Sequence, residues 1–97
     1  DNWLRHVRDV MEKYESKLIA IKDEQKRFDR VCELNVLEQA VNVCQTTIVQ
    51  EAWARGQNIS VHAFVYDIHD GLIRDLGFGV TQTDEAAAAC KKILKNL

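Results

Sequence analysis

The first part of the chain carries a helical pattern of apolar residues. Apolar side chains recur at intervals of three and four between Trp3 and Ile21, which is the spacing of one face of a helix of about five turns. We expect Asp1 and Asn2 to cap this helix at its beginning. Charges of both signs alternate on its other face, which we interpret as a solvated surface.

Two further helices are predicted in the middle of the chain. Residues 22–30 are highly charged and read as a connection. Residues 28–46 have apolar side chains on more than one face, which is typical of a largely buried helix. The polar residues of that helix need partners if they are buried; they are Glu33, Asn35, Glu38, Gln39 and Asn42. Residues 48–55 read as a short helix ended by Gly56 in the left-handed conformation, although β-branched residues leave a strand open over residues 47–50.

The clearest strand is predicted over residues 59–68, where β-branched and aromatic residues alternate. One face is predicted to carry Ile59, Val61, Ala63 and Val65, and the other His62, Phe64, Tyr66 and Ile68. Both faces are mostly apolar, so we expect both to be covered. Asp70 and Gly71 form a strong hairpin signal. Residues 72–76 should then return antiparallel to the first strand.

The end of the chain is predicted to be helical. Gly77 and Gly79 should loosen the chain, and Thr83 should cap a final helix that runs to Leu97. The predicted elements are four helices and only one β-hairpin. Two strands alone make a sheet of marginal stability. We therefore expect an α/β fold with helices and an edge β-hairpin, whose other strands lie elsewhere.

Composition and charge narrow the class of protein. The length of 97 residues predicts one domain, or a domain fragment, over residues 1–97. The chain has 13 basic and 15 acidic residues, so it lacks the excess of positive charge that nucleic-acid binding requires. No apolar run approaches the roughly 20 residues that a membrane-spanning helix needs, so we expect no membrane partner. Nothing resembles a secretion signal, which favours an intracellular location, cytoplasmic or organellar.

Candidate chemistry is sparse. The cysteines are Cys32, Cys44 and Cys90. An odd number without a CxxC pair predicts free thiols in a reducing compartment, and neither a disulfide framework nor a zinc site. A metal site could be imagined near the hairpin turn, where acidic residues and histidine cluster; these residues are Asp67, His69 and Asp70, with His62 and Tyr66 on the preceding strand. One strand cannot supply a tetrahedral ligand set, so an ordinary turn is the preferred interpretation.

Several stretches of the sequence together resemble the C-terminal half of β-class carbonic anhydrases. The first is CELNVLEQ at residues 32–39, followed by TTIVQ at residues 46–50. AWARGQ at residues 52–57 and HAFVYDIHDGLIRDL at residues 62–76 follow in the family's order. NWLRHVRDV at residues 2–10 is similar to the helix that comes after the family's zinc-binding half. The resemblance covers the chain from about residue 1 to residue 78.

This resemblance implies a zinc lyase that interconverts CO2 and bicarbonate. In that family two cysteines and one histidine hold zinc, and zinc lowers the pKa of a bound water so that hydroxide attacks CO2. The family's Cys-x-Asp-x-Arg and His-x-x-Cys motifs are absent from this sequence. Zinc is therefore implied as the family's cofactor, but no catalytic, cofactor-binding or metal-ligating residue can be assigned in this chain.

The expected function follows from the absence of these zinc-ligand motifs. The chain should give structural and oligomeric support to a zinc site on upstream sequence, and should be inactive alone. Its expected partners are CO2 and bicarbonate through the complete protein, and either further copies or an N-terminal half. The alternative is a non-catalytic interaction or dimerisation module derived from the same scaffold. Tyr66 matches a position that lines a non-catalytic bicarbonate pocket in some bacterial members, or else is a packed strand aromatic.

Overall fold

A computed structural model describes the backbone of residues 2–97 and the side chains of residues 5–82 and 84–97. The chain forms two compact units, Asp1–Asn35 and Val36–Leu97. The predicted cap residues at the start of the chain and the side chains of Trp3 and Thr83 lie outside the described part. No helix of the described residues is both long enough and apolar enough to cross a membrane.

The first unit begins with two short helices, α1 (Asn2–Lys13) and α2 (Glu15–Ile19). The prediction of one helix over this region is wrong at Tyr14, whose backbone leaves the helical conformation. Two hydrogen bonds of helical spacing nevertheless bracket Tyr14, which donates to the Val10 carbonyl at 3.1 Å and accepts from the Leu18 amide at 3.0 Å. Because this spacing survives the interruption, the predicted apolar row is confirmed at its buried members Val10, Tyr14 and Leu18.

The third helix, α3 (Glu24–Cys44), begins inside the segment predicted to be a connection. Asp23 caps it, since its Oδ1 accepts a hydrogen bond from the Lys26 amide at 3.0 Å. The Arg27 guanidinium donates to the two backbone carbonyls just before the helix. The prediction for residues 22–30 is therefore wrong, because charged side chains on an exposed helix face need no apolar partner.

The buried side chains of α3 occupy a smaller part of its surface than predicted. The buried side chains lie along one row of three- and four-residue spacing, namely Leu34, Leu37, Ala40 and Cys44. Phe28 and Val43 are exposed. Glu33 forms an ion pair with Arg30, whose Nε lies 3.5 Å from the carboxylate. Gln39 is exposed and can be satisfied by water.

The fourth helix, α4 (Thr47–Ala54), confirms the predicted short helix and excludes a strand there. The Thr46 hydroxyl caps it by accepting from the Val49 amide. Gly56 follows with φ of +79°, as predicted for the left-handed stop.

The predicted hairpin is present as β1 (Val61–Asp67) and β2 (Leu72–Val80), which pair antiparallel. Gly71 takes a φ of +68° in the turn, and its amide donates to the Asp67 carbonyl at 2.8 Å. Among the described residues these two strands form the whole sheet.

The second strand is longer than predicted. Between the pairs His62–Gly79 and Phe64–Asp75 it holds more residues than β1 does, so the register shift is a bulge on β2. Gly77 absorbs the bend with a φ of +84°. The expectation that the glycines loosen the chain is therefore wrong, because glycine lets the strand bend and then continue.

The core of the second unit lies against one face of the hairpin. It joins α3, both strands and the final helix α5 (Ala86–Asn96), which follows a 3-10 turn over Thr83–Glu85. The buried members of this cluster are Leu37, Ala40, Cys44, Ala63, Phe78, Val80, Ala86 and Ile93. The other face of the hairpin is exposed in the described chain, so the prediction that β1 is covered on both faces is not met there.

Candidate functional site

The exposed side of the hairpin presents the residues that the sequence singled out on the strand. Directly paired residues of antiparallel strands share a face, so Tyr66 lies beside Ile73, and His62 and Phe64 lie opposite Gly79 and Asp75. We call the surface made by His62, Phe64, Tyr66 and Ile73 the outer hairpin face. Phe64, Tyr66 and Ile73 are 50%, 60% and 67% exposed.

The aromatic side chains of this face are ordered along β1. The rings of His62 and Phe64 stack with their centroids 6.0 Å apart and an angle of 16° between the planes. Gly79 lies under the imidazole, and a Cβ atom there would meet His62 at 3.5 Å, an ordinary contact. Phe64, Tyr66 and Ile73 thus give this face an apolar and aromatic area, and its polar groups are His62, the Tyr66 hydroxyl and Asp75, which is paired with Phe64.

The acidic residues at the tip of the hairpin serve the turn. Asp67 and Asp70 accept hydrogen bonds from the backbone amides of His69 and Leu72 at 2.8 and 2.9 Å. The Arg74 guanidinium contacts the same two carboxylates at 3.4 and 3.2 Å. These side chains are close together, as the sequence suggested, but they stabilise a turn. No three potential ligands among the described residues are placed to hold a metal ion.

Cys32, Cys44 and Cys90 form no disulfide. Cys44 is buried in the core of the second unit, while Cys32 and Cys90 are half-buried. Burial raises the pKa of the Cys44 thiol, and burial together with the nearby Asp29 and Glu33 raises that of Cys32. Because zinc binds the thiolate form, these environments disfavour metal binding. The donor set of the described residues does not fit the zinc site that the family resemblance implies.

One open cleft of about 500 Å³ lies at the end of α4. It is lined by Trp53, Gln57, Asn58 and Asp84, among others. The Trp53 indole N–H donates to the Ile59 carbonyl at 2.8 Å, so this side chain ties α4 to the start of the strand. Thr81 also lines the cleft, and its hydroxyl donates to the Glu85 carboxylate at 3.0 Å.

Sequence reasoning located the outer hairpin face only in part. It placed His62, Phe64 and Tyr66 together on one side of the strand, and the structure confirms that placement. It missed Ile73, because the pairing of Ile73 with Tyr66 depends on the register of the hairpin. The turn signal at Asp70 and Gly71 could not have given that register, because a two-residue turn there would pair Tyr66 with Asp75, whereas four residues separate the paired Asp67 and Leu72.

Comparisons with known proteins agree on one family. A sequence model of the carbonic anhydrase family matches residues 1–73. A carbonic anhydrase of Emericella nidulans is 42% identical over 74 residues, which are 76% of this chain and 32% of that protein. The chain thus spans about a third of the length of this curated relative.

Two solved structures are similar in fold as well as in sequence. A Coccomyxa β-carbonic anhydrase in complex with acetazolamide superimposes with a TM-score of 0.80 at 38% identity, over 97% of this chain and 44% of that one. A tetrameric β-carbonic anhydrase of Sordaria macrospora gives a TM-score of 0.72 at 34% identity, over 82% of this chain and 40% of that one.

Proposed function

The chain belongs to the β-class carbonic anhydrase family, and from that premise we propose that it acts as the C-terminal portion of an enzyme that interconverts CO2 and bicarbonate. In this proposal the zinc ion and its ligands belong to upstream sequence. The portion described above supplies the core that supports the zinc-bearing part of the fold, and a surface for assembly into a homo-oligomer.

One observation carries this proposal. The chain superimposes along 97% of its length on the Coccomyxa enzyme, yet accounts for only 44% of that enzyme's chain. We therefore assign the zinc chemistry to the part of such a chain that this sequence does not match; the described residues include no group of three potential metal ligands. The tetrameric Sordaria relative supports assembly of several copies.

The support role has a physical basis in the second unit. Its core ties α3, the hairpin and α5 into one cluster. Groups that orient a metal ligand act only when their own positions are held by packing. A hairpin that packs against a core on one face is suited to hold an adjoining part of the fold in place.

The test compares the 97-residue chain alone with the same chain joined to an enzyme portion that would carry the zinc ligands. The 97-residue chain should bind well under one zinc ion per molecule and should not hydrate CO2. The same chain fused behind the part of the Coccomyxa enzyme that it does not match should bind zinc near one per chain and hydrate CO2. Zinc would be measured by elemental analysis and hydration by stopped flow. The matched control is the same fusion with serine at the cysteines of its upstream Cys-x-Asp-x-Arg and His-x-x-Cys motifs.

Two outcomes would contradict the proposal. Zinc near one ion per 97-residue chain would place the metal site inside this sequence. A folded fusion that binds no zinc would show that this chain does not support the site.

We also propose a role for Tyr66 that extends the family resemblance. Its side chain is on the outer hairpin face and is 60% exposed in the described chain. Its hydroxyl is therefore available to donate a hydrogen bond to a bicarbonate ion bound away from the zinc. The remainder of that pocket would come from the upstream part of the enzyme.

A second candidate function is a non-catalytic interaction module built on the same scaffold. The exposed outer hairpin face favours it, because apolar patches are normally covered by a partner. The intact mass of the protein isolated from its source separates the two candidates. A longer chain with both cysteine motifs supports the enzyme, and a 97-residue product supports the module.

A further inference from the structure

The first unit contains a second cleft, which is smaller than the one at the end of α4 and mainly apolar. Its volume is about 350 Å³. Pockets that hold small molecules reach this size, and they combine an apolar lining with a few polar groups. All of the lining residues fall within residues 11–31, so the cleft belongs to this unit alone. They are Met11, Glu15, Leu18, Ile19, Arg27 and Val31.

The cleft lies between the α1 and α2 helices on one side and the beginning of α3 on the other. Met11, Glu15 and Ile19 are spaced four residues apart, and the helical hydrogen bonds that continue from α1 into α2 keep them on one face. Arg27 and Val31 are also four residues apart and line the cleft from α3. Each side of the cleft therefore presents apolar side chains together with one charged group.

The apolar part of the cleft can take up an aliphatic side chain. Leu18 is buried, whereas Met11 and Ile19 are 47% and 68% exposed. Contact of these side chains with an aliphatic group removes apolar surface from water, which favours binding.

The two charged groups of the cleft have opposite signs and form no ion pair with each other. The Nε and Nη2 atoms of Arg27 donate to the Ile21 carbonyl at 3.0 and 2.9 Å, which holds the guanidinium in place. Its Nη1 atom has no partner among the described residues and can donate to a ligand. The Glu15 carboxylate likewise has no partner there and can accept from one.

This pair of unlike charges selects among the ligands that an apolar cleft could hold. A fatty acid would bring its carboxylate close to Glu15 as well as to Arg27, and an alkylamine would bring its ammonium close to Arg27. A free α-amino acid carries an ammonium and a carboxylate on one carbon atom, so it can satisfy both groups. Inside a peptide chain the same groups are neutral amides. Charge complementarity therefore favours a zwitterionic amino acid.

We propose that this cleft binds a free α-amino acid with an aliphatic side chain, such as leucine. The Glu15 carboxylate accepts a hydrogen bond from the ammonium of the ligand, and Arg27 Nη1 donates to its carboxylate. The side chain of the ligand packs against Leu18 and Ile19. The site needs neither zinc nor CO2, so this inference goes beyond the proposed function and does not depend on it.

The chain offers a direct spectroscopic reporter of this site. Met11 is the only methionine of the sequence, so its methyl resonance reports by NMR whether the cleft is occupied. Titration of the 97-residue chain with L-leucine should shift this resonance to saturation. The comparison ligands are 4-methylpentanoate, which lacks the ammonium, and 3-methylbutylamine, which lacks the carboxylate. Each loses one exposed ion pair, so each should bind about fivefold more weakly than leucine.

Reversal of one charge should change which ligand is preferred. Glu15→Lys places two cations at the cleft, so 4-methylpentanoate should then bind more tightly than leucine. Glu12→Lys is the matched control, because Glu12 is exposed on α1 and does not line the cleft. It makes the same change in net charge and should leave the preference for leucine unchanged.

Several outcomes would overturn the site. These are the absence of a saturable shift with L-leucine, equal binding of the three ligands, and a preference that changes equally in Glu15→Lys and Glu12→Lys. The zinc-binding fusion should also bind leucine, with the Met11 resonance identified by its loss in Met11→Leu. A fusion that hydrates CO2 but does not bind leucine would show that the rest of the enzyme fills the cleft; the inference would then fail while the proposed function stands.

Discussion

At the scale of single residues, the polar side chains of the hairpin have two separate uses. Asp67, Asp70 and Arg74 form a small ion-pair cluster at the tip, and the two carboxylates also accept backbone amides. Exposed ion pairs of this kind contribute at most about 1 kcal/mol each, so they shape the turn more than they stabilise the protein. Tyr66 forms no such ion pair among the described residues, and it is 60% exposed.

The proposed role of Tyr66 can be tested in the zinc-binding fusion. Tyr66→Phe removes the hydroxyl and keeps the ring. Loss of one hydrogen bond to a charged ligand costs about 1.5–3 kcal/mol, so bicarbonate should bind its non-catalytic pocket roughly 10- to 150-fold more weakly. The measurement is the dependence of CO2 hydration on added bicarbonate at fixed pH.

The other tyrosine supplies the matched control. Tyr14 is buried in the first unit, and Tyr14→Phe removes a hydroxyl that does not lie on the hairpin. An unchanged bicarbonate dependence in Tyr66→Phe, or an equal change in both variants, would reject the pocket role of Tyr66.

At the scale of elements, short-range hydrogen bonds set where helices begin. Asp23 and Thr46 accept amides at the first turns of α3 and α4. Glu85 does similar work before α5, since its Oε1 accepts from the Thr81 amide and hydroxyl at 2.9 and 3.0 Å. These bonds, the backbone one first, hold the pKa of the Glu85 carboxyl below its ordinary value of 4.5.

This lowered pKa predicts a stability change in acid. The folded state binds the Glu85 proton more weakly than the unfolded state, so the stabilisation is complete above about pH 4.5 and is lost as the pH falls through the folded pKa. Glu85→Gln should therefore lower the urea midpoint at pH 7, and the difference from the natural chain should shrink towards pH 3.

A substitution of Thr81, which donates both hydrogen bonds to Glu85, checks that these bonds cause the pH dependence. Thr81→Val removes the hydroxyl donor and keeps the backbone donor, so it should reproduce only part of the effect of Glu85→Gln. A Glu85→Gln difference of the same size at pH 7 and pH 3 would contradict a charge-dependent contact.

At the scale of the whole molecule, packing is one-sided. The core of the second unit lies on one face of the hairpin, while the outer hairpin face is exposed. A two-stranded sheet is marginal by itself, so the hairpin depends on the core for its order. Leu37 is fully buried and is a member of that core, which contains residues of α3, both strands and α5.

Because Leu37 is fully buried in the core, its truncation should destabilise the elements that share this core together. Leu37→Ala leaves a cavity and should lower the free energy of unfolding by about 2–5 kcal/mol, measured by denaturant titration. Hydrogen exchange should quicken in β1 and α5 together. Ile48→Ala, at an exposed position, should change stability by less than about 0.5 kcal/mol. Faster exchange confined to α3 would show that the cluster does not act as one core.

Local chemistry in the sequence determined much of the fold. The helix stop at Gly56 and the hairpin turn at Asp70 and Gly71 were predictable, because each depends on a residue suited to one backbone conformation. The apolar row of Val10, Tyr14 and Leu18 was predictable from its spacing. The motifs at residues 32–76 were enough to indicate the family, since they occur in its order.

Tertiary structure alone decided which surfaces are covered. The alternation in β1 predicted two apolar faces, but only packing shows that Ala63 is buried and that Phe64, one residue later, is exposed. The bulge on β2 and the pairing of Ile73 with Tyr66 arise from register between strands, which hydrophobic pattern does not encode once glycine permits a bend. Burial and register depend on contacts between residues distant in sequence, whereas turns and caps depend on neighbours. The sequence by itself therefore determined the turns and the family, while the exposure of the outer hairpin face was decided by the tertiary structure.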